Sequence, residues 1–371
     1  MNNQPGNTLE IRPVSGKKEL GAFIRVPWRI YKEDPSWVAP LIVERKQAFS
    51  AKNPFFKHAQ WQAWVAYRDG KPVGRISAQI DDLHLQHNDS QTGFFGLIEA
   101  PDDDEVFIAL FETAESWLKN HGMRQVIGPF NLNINQDLGI LVEGFDTAPY
   151  IMTGHAHPYY GAAIERCGYQ PIQDLLAYEL NSGTLTIPRV MQALIDRTGD
   201  RIKVRNLDRK NKNAELEVMR DIFNDAWRNN WNFVPFTREE FNKIGKELLA
   251  IVPRDFIQIA EIDGEDAAFI VLLPNINEVI ADLNGHLFPF GWAKLLWRLK
   301  KHFPKSARVP LMGVRQKYQN TRFGPALAYM IIKGVMDAGT AKRLERGEMS
   351  WILDHNHRVS NIIESVGGEM T

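Results

Sequence analysis

The chain has 371 residues, more than one compact domain usually holds, so two domains are expected. Hydrophobic residues make up 44% of the chain, which is too many for a disordered protein. The 44 basic and 45 acidic residues leave a formal net charge of −1. This balance argues against a nucleic-acid binder that works by neutralising phosphates, so no nucleic-acid partner is expected.

The cysteine content and the start of the chain indicate its compartment. The one cysteine, Cys167, cannot form an intramolecular disulfide or a thiolate zinc cluster, which fits a reducing environment. The first residues lack the basic start and apolar core of a signal peptide. The apolar stretches are too short and too often broken by charge to cross a membrane. These features predict a cytoplasmic protein without a membrane span.

The histidines occur in two close pairs that do not have the spacing of metal ligands on a helix. His155 and His157 are two residues apart, as are His355 and His357, and no cysteine accompanies them. No metal site is therefore predicted.

The first half combines strand, helix and hairpin patterns. Two alternating runs around an Asp69-Gly70 turn predict a β-hairpin over 61–81. An amphipathic pattern that ends at a glycine predicts a helix over 105–122. The other elements predicted here are, in chain order, a strand over 8–14, helices over 17–31 and 41–50, strands over 92–100 and 124–131, a helix that Pro158 opens and Gly168 closes, and a strand over 175–180.

The second half repeats this plan. A hairpin over 256–274 turns on Asp263-Gly264. The remaining elements predicted are a strand over 201–207, two helical stretches within 213–251, a strand over 308–314, a helix over 325–339, a strand over 348–353 and a helix over 357–368. The shared order indicates an internal duplication. We predict an α/β protein with mixed sheets, made of a domain over 1–180, a linker with a short helix over 181–197, and a domain over 198–371.

The closing segments resemble those of the GNAT superfamily of acyl-CoA-dependent N-acyltransferases. MSWILDHNHRVSNIIESVGG carries Asn356 and Gly367 at the family's spacing, and HPYYGAAIERCGYQ keeps the Gly168-Tyr169 ending with His157 in place of the asparagine. The whole chain is also similar to a bacterial group of tandem GNAT-like proteins. The segments that carry this likeness are NPFFKHAQWQAWVAYRDGKPVGRISAQID, GPFNLNINQDLGILVEGFD, HAHPYYGAAIERCGYQPIQDLLAYE and LPNINEVIADLNGHLFPFGWAKLLWRLKK.

The resemblance implies two tandem GNAT-like folds and acetyl-CoA or another acyl-CoA as the cofactor. It also implies closing strands after the last helix, where only three residues follow Gly368. Either the chain is truncated there or the second sheet is short at that edge.

The resemblance places the CoA diphosphate at the start of each half's central helix, where free N–H groups and the helix dipole favour anions. In the first half this segment is PDDDEV, whose carboxylates would repel a diphosphate and suit a helix cap. In the second half RQKYQNTRFGPAL matches the family's glycine-rich pattern in part, with Pro325 removing one donor. The residues predicted to bind acyl-CoA are Val314, Arg315, Lys317, Gln319, Arg322, Gly324, Ala326 and Asn356. The alternative is an ordinary basic loop that caps a helix.

N-acyl transfer also needs a base for the amine proton and an acid for the departing thiolate. In the family the acid is a tyrosine of the last helix, but Ile363 stands at that position, and Tyr318 is the candidate substitute. Glu348 and Asp354 flank the strand beside the presumed thioester site and are the candidate bases. Glu278 and Asp282 are further candidates, and a solvated carboxylate or a helix cap is the alternative for each of the four.

Three functions remain open at this point. The first is an acyl-CoA-dependent N-acyltransferase that acts on a small-molecule or peptide amine with its active site in 198–371. The second is a non-catalytic binding or scaffold protein with two degenerate GNAT folds. The third is an aminoacyl-tRNA-dependent transferase, which the near-neutral charge disfavours.

Two further segments each allow two interpretations. LFPFGWAKLLWRLKKHFPK has an apolar face and a basic end, which suits a packed surface helix or contact with a membrane or an acidic partner. The tyrosines Tyr150, Tyr159, Tyr160 and Tyr169 suit a core or the lining of a substrate cleft.

Overall fold

The computed structural model describes residues 8–88 and 90–371. Contacts between residues divide the chain into two compact units. Unit 1 runs to Pro171 and also includes Ile280–Trp292, and unit 2 comprises Ile172–Val279 and Ala293–Thr371. Two mixed sheets are described, one of five strands and one of seven.

Unit 1 is built on the sheet with the strand order β1-β2-β3-β4-β5, in which only β4 and β5 are parallel neighbours. Its strands are β1 (Leu9–Pro13), β2 (Ala59–Arg68), β3 (Lys71–Asp81), β4 (Thr92–Glu99) and β5 (Gln125–Ile127). Its helices are α1 (Lys17–Arg25), α2 (Pro27–Ile30), α3 (Ile42–Ala48), α4 (Asp82–Asn88), α5 (Asp104–Asn120) and α6 (Tyr159–Arg166).

The hairpin of β2 and β3 confirms the prediction made from the Asp69-Gly70 turn. Both turn residues have positive φ, 51° and 71°, as a tight turn between right-twisted strands requires. Strand β2 is continuously apolar and buried over Ala63–Ala66 because helices cover both faces of the sheet there. Ala63 and Val65 pack in one core with residues of α1 and α3, while Trp64 packs on the opposite face with residues of α5 and α6.

Unit 2 is built on the sheet with the order β12-β6-β11-β10-β9-β8-β7, in which β10 and β11 are the parallel pair. Its strands are β6 (Leu175–Asn181), β7 (Ile202–Asn206), β8 (Ile257–Ile262), β9 (Glu265–Pro274), β10 (Ser306–Val314), β11 (Arg346–Leu353) and β12 (Gly368–Met370). The helices of the second half are α7 (Arg189–Thr198), α8 (Lys212–Trp227), α9 (Arg238–Leu249), α10 (Asn277–Ile280), α11 (Gly291–Lys301), α12 (Gln316–Gln319), α13 (Phe323–Ala341) and α14 (His357–Ser365).

The strand predicted over 175–180 lies in the second sheet, although the sequence analysis had it end the first half. As β6 it pairs antiparallel with both β11 and β12. Tyr178 and Leu180 are buried with Tyr329, Met349 and Ile363 in the core of unit 2. The sequence pattern predicts that a strand exists, but it does not predict to which sheet the strand belongs. Strand pairing is decided by contacts between residues distant in sequence.

Strand β6 also occupies a position in the second sheet where a closing strand was expected to follow the last helix. Only the short β12 follows α14, and it lies at the sheet edge beside β6. The position next to β11 is filled by β6, a strand that precedes the rest of the second sheet in the chain. The second sheet is therefore completed from the segment that joins the two halves.

Among the described residues, no helix combines the length and the apolar character needed to cross a bilayer.

Candidate functional site

The parallel strands β10 and β11 separate at their carboxyl ends. They pair over Ser306–Val309 and Arg346–Met349, yet β10 continues to Val314 and β11 to Leu353. Pro310 follows the last paired residue of β10 and has no N–H to donate to a ladder. The result is an unpaired strand edge inside the sheet of unit 2, which we call the β10/β11 opening.

Where β10 and β11 separate, the pairing of each strand with its other neighbour is also irregular. The register of β10 against β9 shifts between Arg308 and Leu311, and that of β11 against β6 shifts between Met349 and Ile352. Such bulges redirect a strand and end its regular pairing. The β10/β11 opening is thus flanked by a bulge in each of the two strands that border it.

The basic loop predicted to bind the diphosphate follows β10 at this same end of the sheet. Arg315 precedes α12, and α13 begins at Phe323. The start of α14 lies beside the loop, because Arg358 donates a hydrogen bond to the side chain of Asn320. Asn356 caps α14, its side chain accepting from the N–H of Val359 at 3.4 Å. The structure therefore brings the loop and Asn356 to the carboxyl ends of β10 and β11.

The cations of the loop differ in whether a carboxylate neutralises them. Arg315 donates to Asp221 Oδ2 at 2.7 Å and to the carbonyl of Asp266 at 2.7 Å. Lys317 forms an ion pair with Glu265. Arg322 is exposed and lies over the ring of Phe323, 5.2 Å from its centroid, and none of the ion pairs among the described residues includes it. Arg322 is therefore the loop cation with its charge available to an anion.

The backbone at the start of α13 offers few free donors. The N–H of Phe323 donates to Thr321 Oγ1 at 3.1 Å, that of Gly324 donates to the Thr321 carbonyl at 3.2 Å, and Pro325 has none. A Cβ on Gly324 would lie 2.7 Å from the Tyr318 carbonyl, so glycine allows the helix to approach the loop. The loop fits an anion through charge more than through backbone amides.

The other predicted binding residues shape this loop. Gln319 Nε2 donates to the carbonyl of Val314 at 2.8 Å, which closes the loop on the end of β10. Ala326 is fully buried in α13. These contacts fix the loop's conformation.

Glu348 is buried on β11, just before the opening. Its Oε1 lies 3.3 Å from Arg308 Nε, and Ser350 Oγ donates to the same oxygen. Burial raises the pKa of Glu348, and the positive charge of Arg308 opposes that rise in part. Arg308 in turn lies over the ring of Trp351 at 4.5 Å. Glu348 is held in an ion pair within the sheet.

The other candidate groups lie apart from Glu348. Asp354 is exposed, and hydrogen bonds from Gln173 and from His355 lower its pKa. Tyr318 Oη is 3.4 Å from Glu265 Oε2, at the start of β9. Glu278 accepts hydrogen bonds from the start of β10, at the opposite end of that strand from the opening. Within 8–88 and 90–371 no hydrogen bond or ion pair joins Glu348, Asp354 and Tyr318 to one another.

Unit 1 has the same parallel pair, but its gap is filled. Strands β4 and β5 pair over Thr92–Phe94, and the chain then continues along β4, with the N–H of Phe130 donating to Phe95 at 2.8 Å. The side chain of Asn131 accepts from the N–H of Leu97. A Cβ on Gly96 would lie 1.9 Å from the Phe130 carbonyl oxygen, which measures how closely the two segments approach.

A buried carboxylate cluster lies at the end of β4. Glu99 accepts from Tyr31 at 2.7 Å, from Tyr160 at 2.8 Å and from Arg75 at 3.4 Å. Burial raises the pKa of Glu99, with Arg75 and the two hydroxyls opposing the rise. We call these four residues the Glu99 cluster.

A hydrogen-bonded pair of a histidine and an aspartate adjoins this cluster. His155 Nε2 lies 2.8 Å from Asp34 Oδ2, and the His155 carbonyl accepts from Tyr31 at 3.1 Å. Burial acts to raise the pKa of Asp34, but hydrogen bonds from His155 and from the N–H of Ser36 outweigh it and lower that pKa. Three or more potential metal ligands do not converge anywhere in the described part of the chain.

The sequence analysis missed Tyr31, Asp34, Arg75 and Glu99. A signal existed in β3, where Arg75, Ser77, Gln79 and Asp81 alternate with apolar residues and are all buried. In a strand covered on both faces, polar residues two apart mark one face. That face carries the contacts of Arg75 with Glu99 and of Gln79 with the carbonyls of Phe130 and Leu132.

Known structures share this architecture. A tandem GNAT protein from the clavulanic acid biosynthesis pathway superposes with a TM-score of 0.55 at 12% identity, over 98% of this chain and 95% of that one. A GCN5-related N-acetyltransferase from Sphaerobacter thermophilus superposes with a TM-score of 0.51 at 11% identity, over 98% and 92%. At these identities the likeness concerns the fold, and it confirms two tandem GNAT-like folds.

Two proteins are much more similar in sequence, although no protein-family model matches the chain. Protein YghO of Escherichia coli (strain K12) is 49% identical over 97% of this chain and 92% of its own length. The bacterial ceramide synthase of Caulobacter vibrioides (strain NA1000 / CB15N) is 44% identical over 97% of this chain and 94% of its own. The chain therefore belongs to the family of these two proteins and has the tandem fold of the GNAT superfamily.

Proposed function

We propose that this protein is an acyl-CoA-dependent N-acyltransferase whose acyl donor binds at the β10/β11 opening of unit 2. The observation that carries the proposal is the opening itself, an unpaired strand edge next to a helix start and an unneutralised Arg322. An extended ligand chain can hydrogen-bond to such an edge, as an added strand does. Arg322 and the dipole of α13 favour an anionic group at the outer end.

The residues of unit 2 would divide the work between binding and proton transfer. Arg322, Gln319 and Asn356 would hold the donor. Asp354, exposed at the end of β11, would accept the amine proton, and Tyr318 would supply a proton to the leaving thiolate. Glu348 would orient Arg308 and the end of β11 through its ion pair.

We propose a long-chain amino alcohol as the acceptor and a fatty acyl-CoA as the donor. The support is the name of the Caulobacter relative, since a ceramide is the amide of a fatty acid with a long-chain amino alcohol. The amine would attack the thioester carbon, forming the amide bond while the carbon–sulfur bond breaks and the thiolate takes a proton.

The loop is tested with Arg322→Glu and a matched control, Arg343→Glu, which changes an exposed arginine just beyond the opposite end of α13. Thermal unfolding is measured with CoA, acetyl-CoA and palmitoyl-CoA. A ligand at about a hundred times its Kd stabilises by about 2.7 kcal/mol, so the wild type and the control should shift by a few degrees. The Arg322→Glu protein should unfold at the wild-type temperature without ligand and show no shift with it.

Product formation is followed by mass spectrometry with palmitoyl-CoA and sphinganine. Amide formation that Arg322→Glu abolishes and Arg343→Glu retains would support the assignment. An unchanged acyl-CoA shift in Arg322→Glu would remove the loop from the site.

A binding protein without catalysis is the second candidate. The engaged amides at the start of α13 and the filled gap in unit 1 favour it, because both reduce the room and the donors for a thioester. It predicts neither a thermal shift with any acyl-CoA nor an amide product from amines of varied chain length.

A further inference from the structure

The segment Leu287–Lys301, which we call the aromatic segment, exposes large apolar side chains. Phe288 and Phe290 are 74% and 79% exposed, and Trp292, Leu296 and Trp297 are 48%, 59% and 56% exposed. No residue of α11 is buried. Single exposed apolar residues are normal, but a consecutive run of this size marks an interaction surface.

Backbone contacts hold the start of the segment in place. The N–H of Trp292 donates to Leu287 at 2.8 Å, and its indole N–H donates to the Pro289 carbonyl at 3.0 Å. Just before the segment, the Gly285 carbonyl accepts from the N–H of Ile42 at 3.0 Å. The loop is therefore anchored while its two phenylalanine side chains face outwards.

Helix α11 continues this outward face. Its exposed positions include Trp292, Leu296 and Lys300, which recur every fourth residue and so lie in one row. Leu295 and Leu299, which lie next to this row on the same side of the helix, are half-buried. Apolar side chains flanked by lysines are typical of helices that lie in a membrane interface.

The chain carries charge of one sign through the segment and for some distance beyond it. From Leu283 to Met336 the chain has no aspartate or glutamate and ten lysine or arginine residues. Lys300 and Lys301 are exposed near the end of the helix, and the ion pairs of the described residues do not include them. A second copy of this chain would present the same positive charge, so the surface is complementary to anions.

A second positive surface adjoins the segment in unit 1. A groove of about 550 Å³ is lined by Lys17, Lys18, Arg25 and Arg29, and its lining includes no carboxylate of the residues that the structure describes. Trp28 also lines this groove, and its indole N–H donates to the carbonyl of Asn284 at 3.3 Å, three residues before the aromatic segment. Trp28 thus connects the groove to the part of unit 1, Ile280–Trp292, that contains the exposed Phe288 and Phe290.

We propose that the aromatic segment and this groove dock the protein onto a membrane surface rich in anionic phospholipid. The phenylalanine and tryptophan side chains enter the headgroup region, and the lysines and arginines contact the lipid phosphates. This inference goes beyond the proposed function and does not depend on it.

Vesicle sedimentation tests the proposal without any acyl donor, so its failure and that of acyl transfer are distinguishable. The probes are vesicles of phosphatidylcholine alone and vesicles in which about a third of the lipid is phosphatidylglycerol. The wild type should bind the anionic vesicles, more weakly as salt is added, and its tryptophan emission should shift to the blue. Phe288→Ser/Phe290→Ser should weaken that binding about tenfold or more.

Two matched controls separate apolar and charge effects from general surface changes. Ile172→Ser/Val190→Ser changes two exposed apolar residues elsewhere and should bind as the wild type does. Lys300→Glu/Lys301→Glu should abolish the preference for anionic lipid, whereas Lys52→Glu/Lys203→Glu, at exposed lysines outside the surface, should keep it.

Two results would overturn the proposal. One is wild-type protein that stays in solution with anionic vesicles. The other is a concentration-dependent dimer that Phe288→Ser/Phe290→Ser disrupts while vesicle binding is unchanged, which would make this surface a contact between copies.

Discussion

At the scale of single residues, the surroundings of a carboxylate change its pKa and its exposure, which the sequence alone does not show. Glu99 and Glu348 are buried, and burial raises the pKa of each. Asp354 is exposed, and its hydrogen bond from Gln173 lowers its pKa. A base for an amine has to reach its substrate, which only the exposed Asp354 among these three can do, although its lowered pKa makes it the weakest base of the three. Burial suits Glu99 and Glu348 to positioning.

The raised pKa of Glu99 gives a pH-dependent prediction for Glu99→Gln. Between the ordinary pKa of 4.5 and the raised value, the folded wild type binds more protons than the unfolded chain, so its stability falls as pH rises. Glutamine does not titrate, and its carbonyl can still accept from Tyr31. The melting temperature of Glu99→Gln relative to the wild type should therefore rise with pH through this window.

Glu265→Gln is the control of opposite sign. A hydrogen bond from Lys317 lowers the pKa of Glu265, so its stabilising effect is present above pH 4.5 and is lost as pH falls. The melting temperature of this variant relative to the wild type should fall as pH rises. A fall for Glu99→Gln would contradict the assignment of Glu99, and a rise for Glu265→Gln would contradict that of Glu265.

At the scale of elements, one kind of strand pair is used in two ways. In unit 2, β10 and β11 leave an unpaired edge beyond Val309. In unit 1, the chain after β5 keeps hydrogen-bonding to β4 through Phe130 and Asn131. The pair is therefore closed in unit 1 and open in unit 2, and this is why we propose the donor site in unit 2.

Gly96→Ala tests the closed pair. The new Cβ would lie 1.9 Å from the Phe130 carbonyl oxygen, so the backbone has to move, and we expect a destabilisation of about 1–3 kcal/mol. Gly161→Ala is the control, since nothing lies within 4 Å of its Cβ and the helix α6 favours alanine by up to about 1 kcal/mol. Urea unfolding of both variants measures the two effects, and a neutral Gly96→Ala would show that the pair is loose.

At the scale of the whole molecule, the two halves are linked through a strand. Strand β6 completes the second sheet between β11 and β12, and Tyr178 is 3% exposed in the core of unit 2. Unit 2 therefore depends on a segment that precedes its other strands. The predicted domain limits, 1–180 and 198–371, remain a proposal, and this dependence bears on where unit 2 can be cut from the chain.

Tyr178→Ala tests that dependence. Truncation of a buried aromatic side chain costs about 3–5 kcal/mol, and the loss should appear in unit 2. Hydrogen exchange should accelerate in Arg346–Leu353 while Thr92–Glu99 keeps its protection. Ile172→Ala, at a side chain 58% exposed, should change neither region. Faster exchange confined to Thr92–Glu99 would contradict the role of β6.

The sequence by itself determined the local elements. The Asp69-Gly70 and Asp263-Gly264 turns, the apolar periods of the long helices and the repeated order of elements specify conformations within a few residues. They predicted both hairpins, α5, α13 and the duplication, and with the family resemblance the tandem fold. The short β12 and the early end of β5 were missed, because so few residues carry no periodic signal.

Only the tertiary structure decided which residues meet. It placed β6 in the second sheet, opened β10 from β11 while filling the gap in unit 1, and assembled Tyr31, Arg75 and Tyr160 around Glu99. Among the described residues, Asp221 and Glu265 form ion pairs with Arg315 and Lys317, and none of the ion pairs includes Arg322. These outcomes depend on contacts between residues far apart in the chain, and local pattern specifies conformation but not partner.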